Sequence, residues 1–224
     1  KFLGQMETDL NKGIKELEKI IFENAGESFN LSSPKQLGVV LFEKLKLVEK
    51  PKKTKTGQYS TSEEVLSLLA KKHKIIDDIL NWRSLNKLQT TYVKALPEEI
   101  NPKTKRIHTV FNQAVASTGR LTSNKPNLQN IPIRTKKGQL IRKAFIPRDE
   151  NHLIICADYS QIELRIIASL SEDLNMIKAF NEGKDIHLST AAKVYNIPED
   201  SVTRRQRSNA KTVNFGIIYG VSAF

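Results

Sequence analysis

The chain of 224 residues is 39% hydrophobic, which is enough to bury a core in one large domain or two modest ones. Its 36 Lys and Arg against 24 Asp and Glu give a net charge of +12, which favours a polyanionic partner. A single cysteine excludes an internal disulfide. The sequence has no apolar run long enough to span a membrane and no signal peptide, which excludes a membrane partner. We therefore expect a cytoplasmic protein.

The first hundred residues predict helices. Apolar residues at helical spacing indicate an amphipathic helix over about 1–24. A second helix is predicted to begin at Ser33 as N-cap, with Pro34 in its first turn and Gln36 completing a capping box. Prolines near residue 100 then interrupt the helical pattern, so we place a domain boundary there.

Lysines are concentrated beyond the start of the second predicted helix, at about 44–58. Lys52, Lys53 and Lys55 lie between Pro51 and Gly57, which predicts a flexible basic loop. Such a loop can contact backbone phosphates without reading sequence. A solvated linker that touches nothing is the alternative.

Three short apolar segments after residue 100 predict strands, at 106–112, 140–146 and 153–157. The amide-rich loop 123–133 lies between the first two. Arg120, Gln129 and Asn130 could donate hydrogen bonds to the minor groove, where the acceptors are nearly degenerate. Alternatively, these amides only satisfy their own turns.

Asp158 follows the third predicted strand. A carboxylate where a strand opens into a turn can hold a hard cation such as Mg²⁺, as phosphoryl transfer requires. Two alternatives remain from the residues alone. Asp158 could be a simple turn residue, and Ser160 with Glu163 also fits a helix capping box.

The stretch 204–219 predicts a helix without proline. Steps of four residues place Arg207, Lys211, Phe215 and Tyr219 along one side of it. Two cations followed by two aromatic rings suit a ligand with a phosphate tail and a flat base. A solvated basic face, with the Phe and Tyr in the core, is the alternative.

Two long motifs decide between these alternatives by resemblance. DYSQIELR at 158–165 and RSNAKTVNFGIIYG at 207–220 resemble the paired signature of family A DNA polymerases of the bacterial DNA polymerase I type. FNLSSPKQLGVVLFEKL at 29–45 and TGRLTSNKPNLQNIP at 118–132 resemble the thumb and template-binding stretches of that family. The resemblance covers nearly the whole chain.

The resemblance implies an α+β fold, with mainly α-helical thumb and fingers segments and a small antiparallel palm sheet, truncated. It assigns 1–100 to the thumb, with a basic tip loop at about 44–58, 101–170 to part of the palm and 171–224 to part of the fingers. We expect a monomer that binds primer-template DNA and deoxynucleoside triphosphates (dNTPs).

The implied activity is template-directed DNA synthesis in replication and repair, in which two Mg²⁺ ions assist nucleotidyl transfer from a dNTP to the primer 3′-hydroxyl. Asp158 and the Tyr159 carbonyl would hold metal, and Lys211 would neutralise the leaving group. The implied dNTP-binding residues are Gln161, Glu163, His187, Arg207, Lys211, Phe215 and Tyr219. The implied DNA-binding residues are Lys52, Lys53, Lys55, Arg120, Gln129, Asn130 and Arg134.

The sequence departs from the family pattern in one respect. The family's second catalytic carboxylate lies in a His-Asp-Glu stretch, and this tripeptide does not occur in the 224 residues. We therefore expect a fragment that lacks nucleotide incorporation by itself. A non-catalytic nucleic-acid-binding module is the alternative function.

Overall fold

A computed structural model of the chain describes residues 2–133 and 135–220. Its contacts divide the chain into two units, unit 1 (Lys1–Leu153) and unit 2 (Ile154–Phe224). No helix in the described part is long and apolar enough to cross a membrane. The assignment of 1–100, 101–170 and 171–224 to functional regions stays a prediction.

Unit 1 is mainly helical. Two π-helical stretches, Val40–Lys44 and Gln89–Lys94, continue two of its helices directly. The α-helices are α1 (Phe2–Ala25), α2 (Pro34–Val39), α3 (Glu63–Ala70), α4 (Lys74–Leu88), α5 (Ala95–Glu98) and α6 (Lys136–Arg142).

Side-chain caps explain where α2 and α3 begin. Ser33 accepts a hydrogen bond from the Gln36 amide at 3.4 Å, and Pro34 occupies the first turn. The predicted box is not reciprocal, because the Gln36 side chain accepts instead from the Asn30 amide at 2.7 Å. Ser62 caps α3 by accepting from the Val65 amide.

The core of unit 1 lies where α1 packs on α4. Leu10, Ile14 and Ile21 of α1 are buried, as the helical spacing predicts, and Ile76 and Ile79 of α4 are fully buried. The Trp82 indole is also buried and donates to Glu18 of α1 at 3.0 Å. Burial of these side chains is the main stabilising contribution to this unit.

Part of the basic segment is a hydrogen-bonded hairpin at residues 52–60, which we call the basic hairpin, while the flexible loop expected at about 44–58 stays a prediction. The Ser60 amide donates to the Lys52 carbonyl at 2.8 Å and the Thr54 amide to the Gln58 carbonyl at 2.7 Å. Tyr59 anchors the hairpin with its ring 5.4 Å from that of Phe42. A Cβ at Gly38 would lie 2.8 Å from the Tyr59 Cβ, so this close approach requires glycine.

The predicted small antiparallel sheet is confirmed, but it is built from other residues than expected. Strands β1 (Val110–Asn112) and β2 (Thr122–Asn124) pair with Phe111 opposite Ser123. Only the last three residues of predicted strand 106–112 are therefore in a strand. The buried Ser123 hydroxyl lies 2.7 Å from the Thr109 hydroxyl and accepts from the Leu128 amide at 3.0 Å, which fixes the following loop.

The predicted strand at 140–146 is wrong, because most of its first half lies in α6. Thr135 caps this helix by accepting from the Gly138 amide at 3.0 Å. Ile141 is fully buried and joins the core of unit 1. A local cap and one buried residue favour helix here over the strand that the short apolar run suggested.

The predicted strand at 153–157 is also wrong. No described strand pairs with this segment, and a strand without a ladder partner leaves its backbone groups unbonded. Leu153 is 87% exposed and Ile155 is 89% exposed, and Cys156 is exposed as well rather than buried. The apolar run therefore does not mark a buried strand in the described structure.

Unit 2 is helical. Aspartates cap two of its helices, since Asp173 accepts from the Met176 amide and Asp185 from the amides of His187 and Leu188. Thr203 and Gln206 form a reciprocal capping box at the start of the last helix. The helices are α7 (Ile162–Ser171), α8 (Leu174–Asn181), α9 (Ile186–Tyr195) and α10 (Arg204–Ile218), with a short 3-10 turn at Glu199–Ser201.

Candidate functional site

Two cations and two rings follow one another along α10, and we call them the α10 ladder: Arg207, Lys211, Phe215 and, just after the helix, Tyr219. The Lys211 ammonium lies 5.8 Å from the centre of the Phe215 ring. The Phe215 and Tyr219 rings are 6.3 Å apart and nearly parallel, at 17°. A positive end followed by flat apolar faces matches a ligand with a phosphate chain at one end and a ring system at the other.

Asp185 holds the first cation of the ladder. Arg207 donates to one Asp185 oxygen from Nε at 2.8 Å and from Nη2 at 2.6 Å. The other Asp185 oxygen caps α9 by accepting from the His187 amide at 2.9 Å. Burial works to raise the pKa of Asp185, but these hydrogen bonds and the Arg207 charge outweigh it, and the pKa lies below its usual value.

Asp185 was not singled out from the sequence as a site residue. The available signal was its position: an Asp directly before a helical stretch is a typical N-cap, and a cap beside a basic helix can pair with it. The separation of 22 residues from Arg207 is not a sequence signal, because it depends on how α9 packs against α10.

His187 lies in the same cluster and is only 2% exposed. Its Nδ1 is 3.0 Å from the Asn214 amide nitrogen, which also donates to the Thr190 hydroxyl at 3.1 Å. Its ring centre is 5.7 Å from that of Phe215. Burial lowers the pKa of His187, the charges of Arg207 and Lys211 lower it further, and Asp185 opposes them.

Glu163 contacts the aromatic end of the ladder. The Tyr219 hydroxyl donates to a Glu163 carboxylate oxygen at 3.1 Å, so the DYSQIELR motif and the second motif meet within unit 2. The alternative capping box does not form, because Gln161 is the N-cap of α7 in a left-handed conformation, with φ of 54° and no side-chain cap. The structure therefore links Glu163 to Tyr219 and not to the start of α7.

The remaining predicted residues of unit 2 precede α7. Asp158 and Tyr159 are exposed, and a buried Gln161 side-chain oxygen has no hydrogen-bond partner in the described residues. A carboxylate and a carbonyl are the hard oxygen donors that Mg²⁺ prefers. However, the described part of the chain contains no group of three His, Cys, Asp or Glu residues that could hold a metal ion. Asp158 and Tyr159 thus fit part of a magnesium site and do not complete one.

In unit 1, the predicted lysines lie on the basic hairpin. Lys52, Lys53 and Lys55 are exposed, and the Lys53 ammonium lies 5.1 Å from the Tyr59 ring centre. The hairpin borders a cavity of about 610 Å³. Hydroxyl groups and two cations line it, among them Ser60, Thr61, Ser62, Thr90, Arg83 and Lys87.

Arg83 and Lys87 were missed in the sequence, since they are spaced as ordinary residues of a helix. The Arg83 guanidinium donates to the Thr61 carbonyl at 2.5 Å. Burial lowers the pKa of Arg83, and the charge of Glu63 opposes that effect. A cation fixed beside hydroxyl donors is a suitable contact for a phosphate oxygen.

The amide-rich loop partly satisfies its own turns. The Gln129 side chain donates to the Leu121 carbonyl at 3.1 Å, and the Asn130 carbonyl accepts a hydrogen bond from the Tyr92 hydroxyl. These bonds hold Gln129 and the Asn130 backbone in place, while Arg120 is exposed. Arg134, the remaining predicted residue, lies outside the described residues.

The structure thus brings six predicted dNTP-binding residues into one connected part of unit 2, and it adds Asp185, Thr190 and Asn214 to them. It places the described members of the predicted DNA-binding set at two locations in unit 1, the basic hairpin and 120–130. The connected residues of unit 2 are Glu163, His187, Arg207, Lys211, Phe215 and Tyr219.

Comparisons with known proteins agree on one family. The model of DNA polymerase family A matches residues 1–224. The chain is 52% identical over 224 residues to DNA polymerase I of Geobacillus stearothermophilus and 53% identical over 222 residues to that of Bacillus subtilis. These matches cover 100% and 99% of the chain but 25% of each relative, so the chain spans about a quarter of the length of these curated relatives.

A solved structure has a similar fold. It is the POL domain of Pol1 from M. smegmatis, in complex with DNA primer-template and dNTP. The similarity has a TM-score of 0.88 at 41% identity, and it covers 100% of this chain and 39% of the other.

Proposed function

The chain belongs to DNA polymerase family A, of the DNA polymerase I type, and from that premise we propose that unit 2 binds the incoming dNTP and unit 1 binds primer-template DNA during DNA synthesis in replication and repair. The observation that carries this proposal is the α10 ladder with its partners Asp185, His187 and Glu163. It offers positive charge at one end and stacked rings at the other within a single helix.

The phosphate end of the site is formed by Arg207, Lys211 and His187. Arg207 uses Nε and Nη2 on Asp185, so Nη1 is left to meet a phosphate oxygen in a fixed direction. Lys211 lies one turn further on and would offset the charge that develops on the leaving pyrophosphate. Arg207 and Lys211 would both bind the triphosphate and offset its charge. Loss of either side chain should therefore reduce the affinity for dNTP as well as the rate of incorporation by a complete enzyme.

The sugar and base end is formed by Phe215, Tyr219 and Glu163. The Phe215 ring would pack on the deoxyribose and the new base pair, and Tyr219 would stack at the template position. Glu163, held by the Tyr219 hydroxyl at 3.1 Å, would crowd the 2′ position of the sugar, with Gln161 beside it. A hydroxyl at that position is then disfavoured, which selects deoxyribose over ribose.

Asp158 and the Tyr159 carbonyl are the residues that would hold Mg²⁺. Bound there, Mg²⁺ would supply charge stabilisation for the attacking 3′-oxygen and for the leaving oxygen at the α-phosphate. The described residues supply only part of that donor set. We therefore expect the 224-residue chain by itself to bind nucleotide without incorporating it.

DNA would be bound by unit 1. Lys52, Lys53 and Lys55 of the basic hairpin would contact backbone phosphates, together with Arg83 at the adjoining cavity. Gln129 would act at the minor groove without reading sequence, and we assign the same role to Arg120, Asn130 and Arg134. In this proposal 1–100 is the thumb, 101–170 is part of the palm and 171–224 is part of the fingers.

Titration of the chain with a fluorescent dNTP in the presence of Mg²⁺ tests the nucleotide site. We expect Lys211→Ala to weaken binding by about tenfold or more, as loss of a charge-assisted hydrogen bond does. Lys193→Ala is the matched control, because Lys193 is an exposed lysine on α9 of the same unit. Equal affinities for the two variants would refute the assignment of Lys211.

Binding measurements on the same preparation distinguish the proposed function from the alternative one, which the incomplete set of metal donors favours. A non-catalytic nucleic-acid-binding module would bind DNA, lose affinity on Lys52→Ala and show no dNTP binding at all. Primer extension with Mg²⁺ is the second measurement. Extension by the purified 224-residue chain would contradict the expectation that Asp158 alone cannot support incorporation.

A further inference from the structure

We propose that Asn214 is a positioning residue that fixes His187 as the neutral tautomer with hydrogen on Nε2, so that His187 offers a single oriented donor to a phosphate oxygen of the nucleotide. The tautomer follows from contacts within unit 2 alone. The use of its Nε2–H on a phosphate rests on the proposed function.

The argument begins with the hydrogens of the Asn214 amide. Its nitrogen lies 3.0 Å from His187 Nδ1 and 3.1 Å from the Thr190 hydroxyl oxygen. An amide nitrogen carries two hydrogens and accepts none, so both contacts are donations from Asn214. His187 Nδ1 must therefore be the acceptor, and the ring hydrogen of neutral His187 is then on Nε2.

The surroundings favour the neutral ring over the charged one. His187 is 2% exposed, and the cations Arg207 and Lys211 act on it from α10. Asp185, at the start of α9, acts in the opposite direction but is already paired with Arg207. Burial and the two cations dominate, so the pKa of His187 lies below its usual value and the ring is neutral near pH 7.

Protonation would also break the local hydrogen bonding. A charged ring would carry hydrogen on Nδ1, which would then face the hydrogens of the Asn214 amide. In the neutral form, no residue in the described ranges accepts from Nε2. Nε2–H is thus the one donor of the buried ring that remains for a ligand, and it adds a hydrogen bond beside two cations without adding a third charge.

Asn214 could instead be only a bridge between α9 and α10. The chain offers a matched control for that role in Asn209, whose side chain also crosses from α10 to α9 by donating to the Tyr195 hydroxyl at 3.0 Å. Removing Asn209 deletes the same type of helix-to-helix hydrogen bond and leaves His187 untouched.

The first experiment measures the tautomer directly, without nucleotide. A two-bond ¹H–¹⁵N correlation spectrum of the 25.4 kDa chain at pH 7.5 distinguishes the ring nitrogen that carries hydrogen from the one that does not. His187→Gln assigns the signal. We expect hydrogen on Nε2 in the unsubstituted chain and in Asn209→Ala. In Asn214→Asp we expect hydrogen on Nδ1, because a carboxylate accepts from it. Hydrogen on Nδ1 in the unsubstituted chain, or an unchanged spectrum in Asn214→Asp, would overturn the inference.

The second experiment is a double-mutant cycle on dNTP affinity. We expect Asn214→Ala to weaken binding about threefold to tenfold, in line with a hydrogen bond whose partner loses its orientation. In the His187→Ala background the same substitution should have almost no effect, because residues that act as a unit are not additive. Equal effects in both backgrounds would show that Asn214 acts independently of His187 and would contradict the proposal.

Failure of the proposed function gives a different result. If the unsubstituted chain shows no dNTP binding and Lys211→Ala changes nothing, the nucleotide site is wrong, while the tautomer spectrum still decides the role of Asn214. If dNTP binds and Lys211→Ala weakens it, but His187 carries hydrogen on Nδ1, only the further inference is wrong.

Discussion

The two units are stabilised in different ways. Unit 1 has a continuous apolar core in which side chains of α1, α3 and α4 are fully buried. In unit 2, the buried apolar side chains among the described residues are Leu164, Ala168, Ala191 and Ala210. Its α9 and α10 are joined by polar contacts instead: the Asp185–Arg207 ion pair and the hydrogen bonds of Asn209 and Asn214.

This difference has a functional reason under the proposed assignment. A site that binds a triphosphate needs cations and donors, and these groups cannot also form an apolar core. In unit 2 the same side chains therefore serve both the stability of the unit and the binding of the ligand. We expect the stability of unit 1 to depend mainly on the volume of its buried side chains. The stability of unit 2 should depend on side-chain charge and therefore on pH.

The largest expected effect is in the core of unit 1. Leu66 and Leu68 lie on α3, with exposed fractions of 0% and 74%. Leu66→Ala should lower the free energy of unfolding by about 2–5 kcal/mol, because it removes buried surface and leaves a cavity. Leu68→Ala should change it by less than about 0.5 kcal/mol. Urea unfolding followed by the fluorescence of Trp82, the one tryptophan of the chain, measures both. Similar values for the two variants would contradict the description of this core.

A second test concerns the close approach that holds the basic hairpin. Gly38→Ala places a Cβ 2.8 Å from that of Tyr59, which overpacks the contact and should cost about 1–3 kcal/mol. Gly4→Ala in α1 is the control, because among the described residues no side chain beyond its chain neighbours lies within 4 Å of its new Cβ. That substitution should stabilise the chain by up to about 1 kcal/mol, since alanine favours the helix. In the same urea assay, we expect the two substitutions to change the free energy of unfolding in opposite directions.

These two contrasts also show what the sequence could predict. The helix start at Ser33 and the buried face of α1 were predicted, because caps and periodicity are local signals. The strands predicted at 140–146 and 153–157 were wrong, because a strand needs a partner that a short apolar run does not identify. The close approach of Gly38 to Tyr59 was likewise invisible in the sequence.

The candidate site divides in the same way. The α10 ladder was predicted from its spacing of four residues within one helix. The Asp185–Arg207 and His187–Asn214 pairs join residues 22 and 27 apart, and they exist only because α9 packs against α10. Family resemblance predicted His187 and Arg207 separately as nucleotide-binding residues, while finding their partners Asn214 and Asp185 required the three-dimensional structure.

In unit 2, Asp185 separates the contribution of a helix cap from that of an ion pair. Asp185→Asn keeps a good cap and removes the charge, whereas Asp185→Ala removes both. We expect Asp185→Ala to cost about 0.5–2 kcal/mol for the cap. Asp185→Asn should cost less, because the ion pair is partly exposed and exposed pairs contribute little. The NMR signals of Ala191 and Ala210 during urea unfolding report on this unit. A larger loss of unfolding free energy in Asp185→Asn than in Asp185→Ala would contradict the assignment of Asp185 as a helix cap.

The smallest expected effect is the dependence of unit 2 on pH. The folded pKa of His187 lies below its usual value of 6.5, so the unfolded chain takes up the proton first as the pH falls. The contribution of neutral His187 is therefore complete above pH 6.5 and decreases as the pH falls from 6.5 towards the folded pKa. Asp185 acts in a lower window: its folded pKa is below 3.8, and its contribution is lost as the pH falls below that value.

His187→Gln should remove the loss of stability that begins at pH 6.5, because glutamine does not titrate. The loss of stability that begins near pH 3.8 should remain. The Ala191 and Ala210 signals at a fixed urea concentration measure both windows. A variant that still loses stability just below pH 6.5 would show that another group carries the proton. In that case the polar contacts around Asn214 would not be what makes unit 2 sensitive to acid, and the contrast with unit 1 would need another cause.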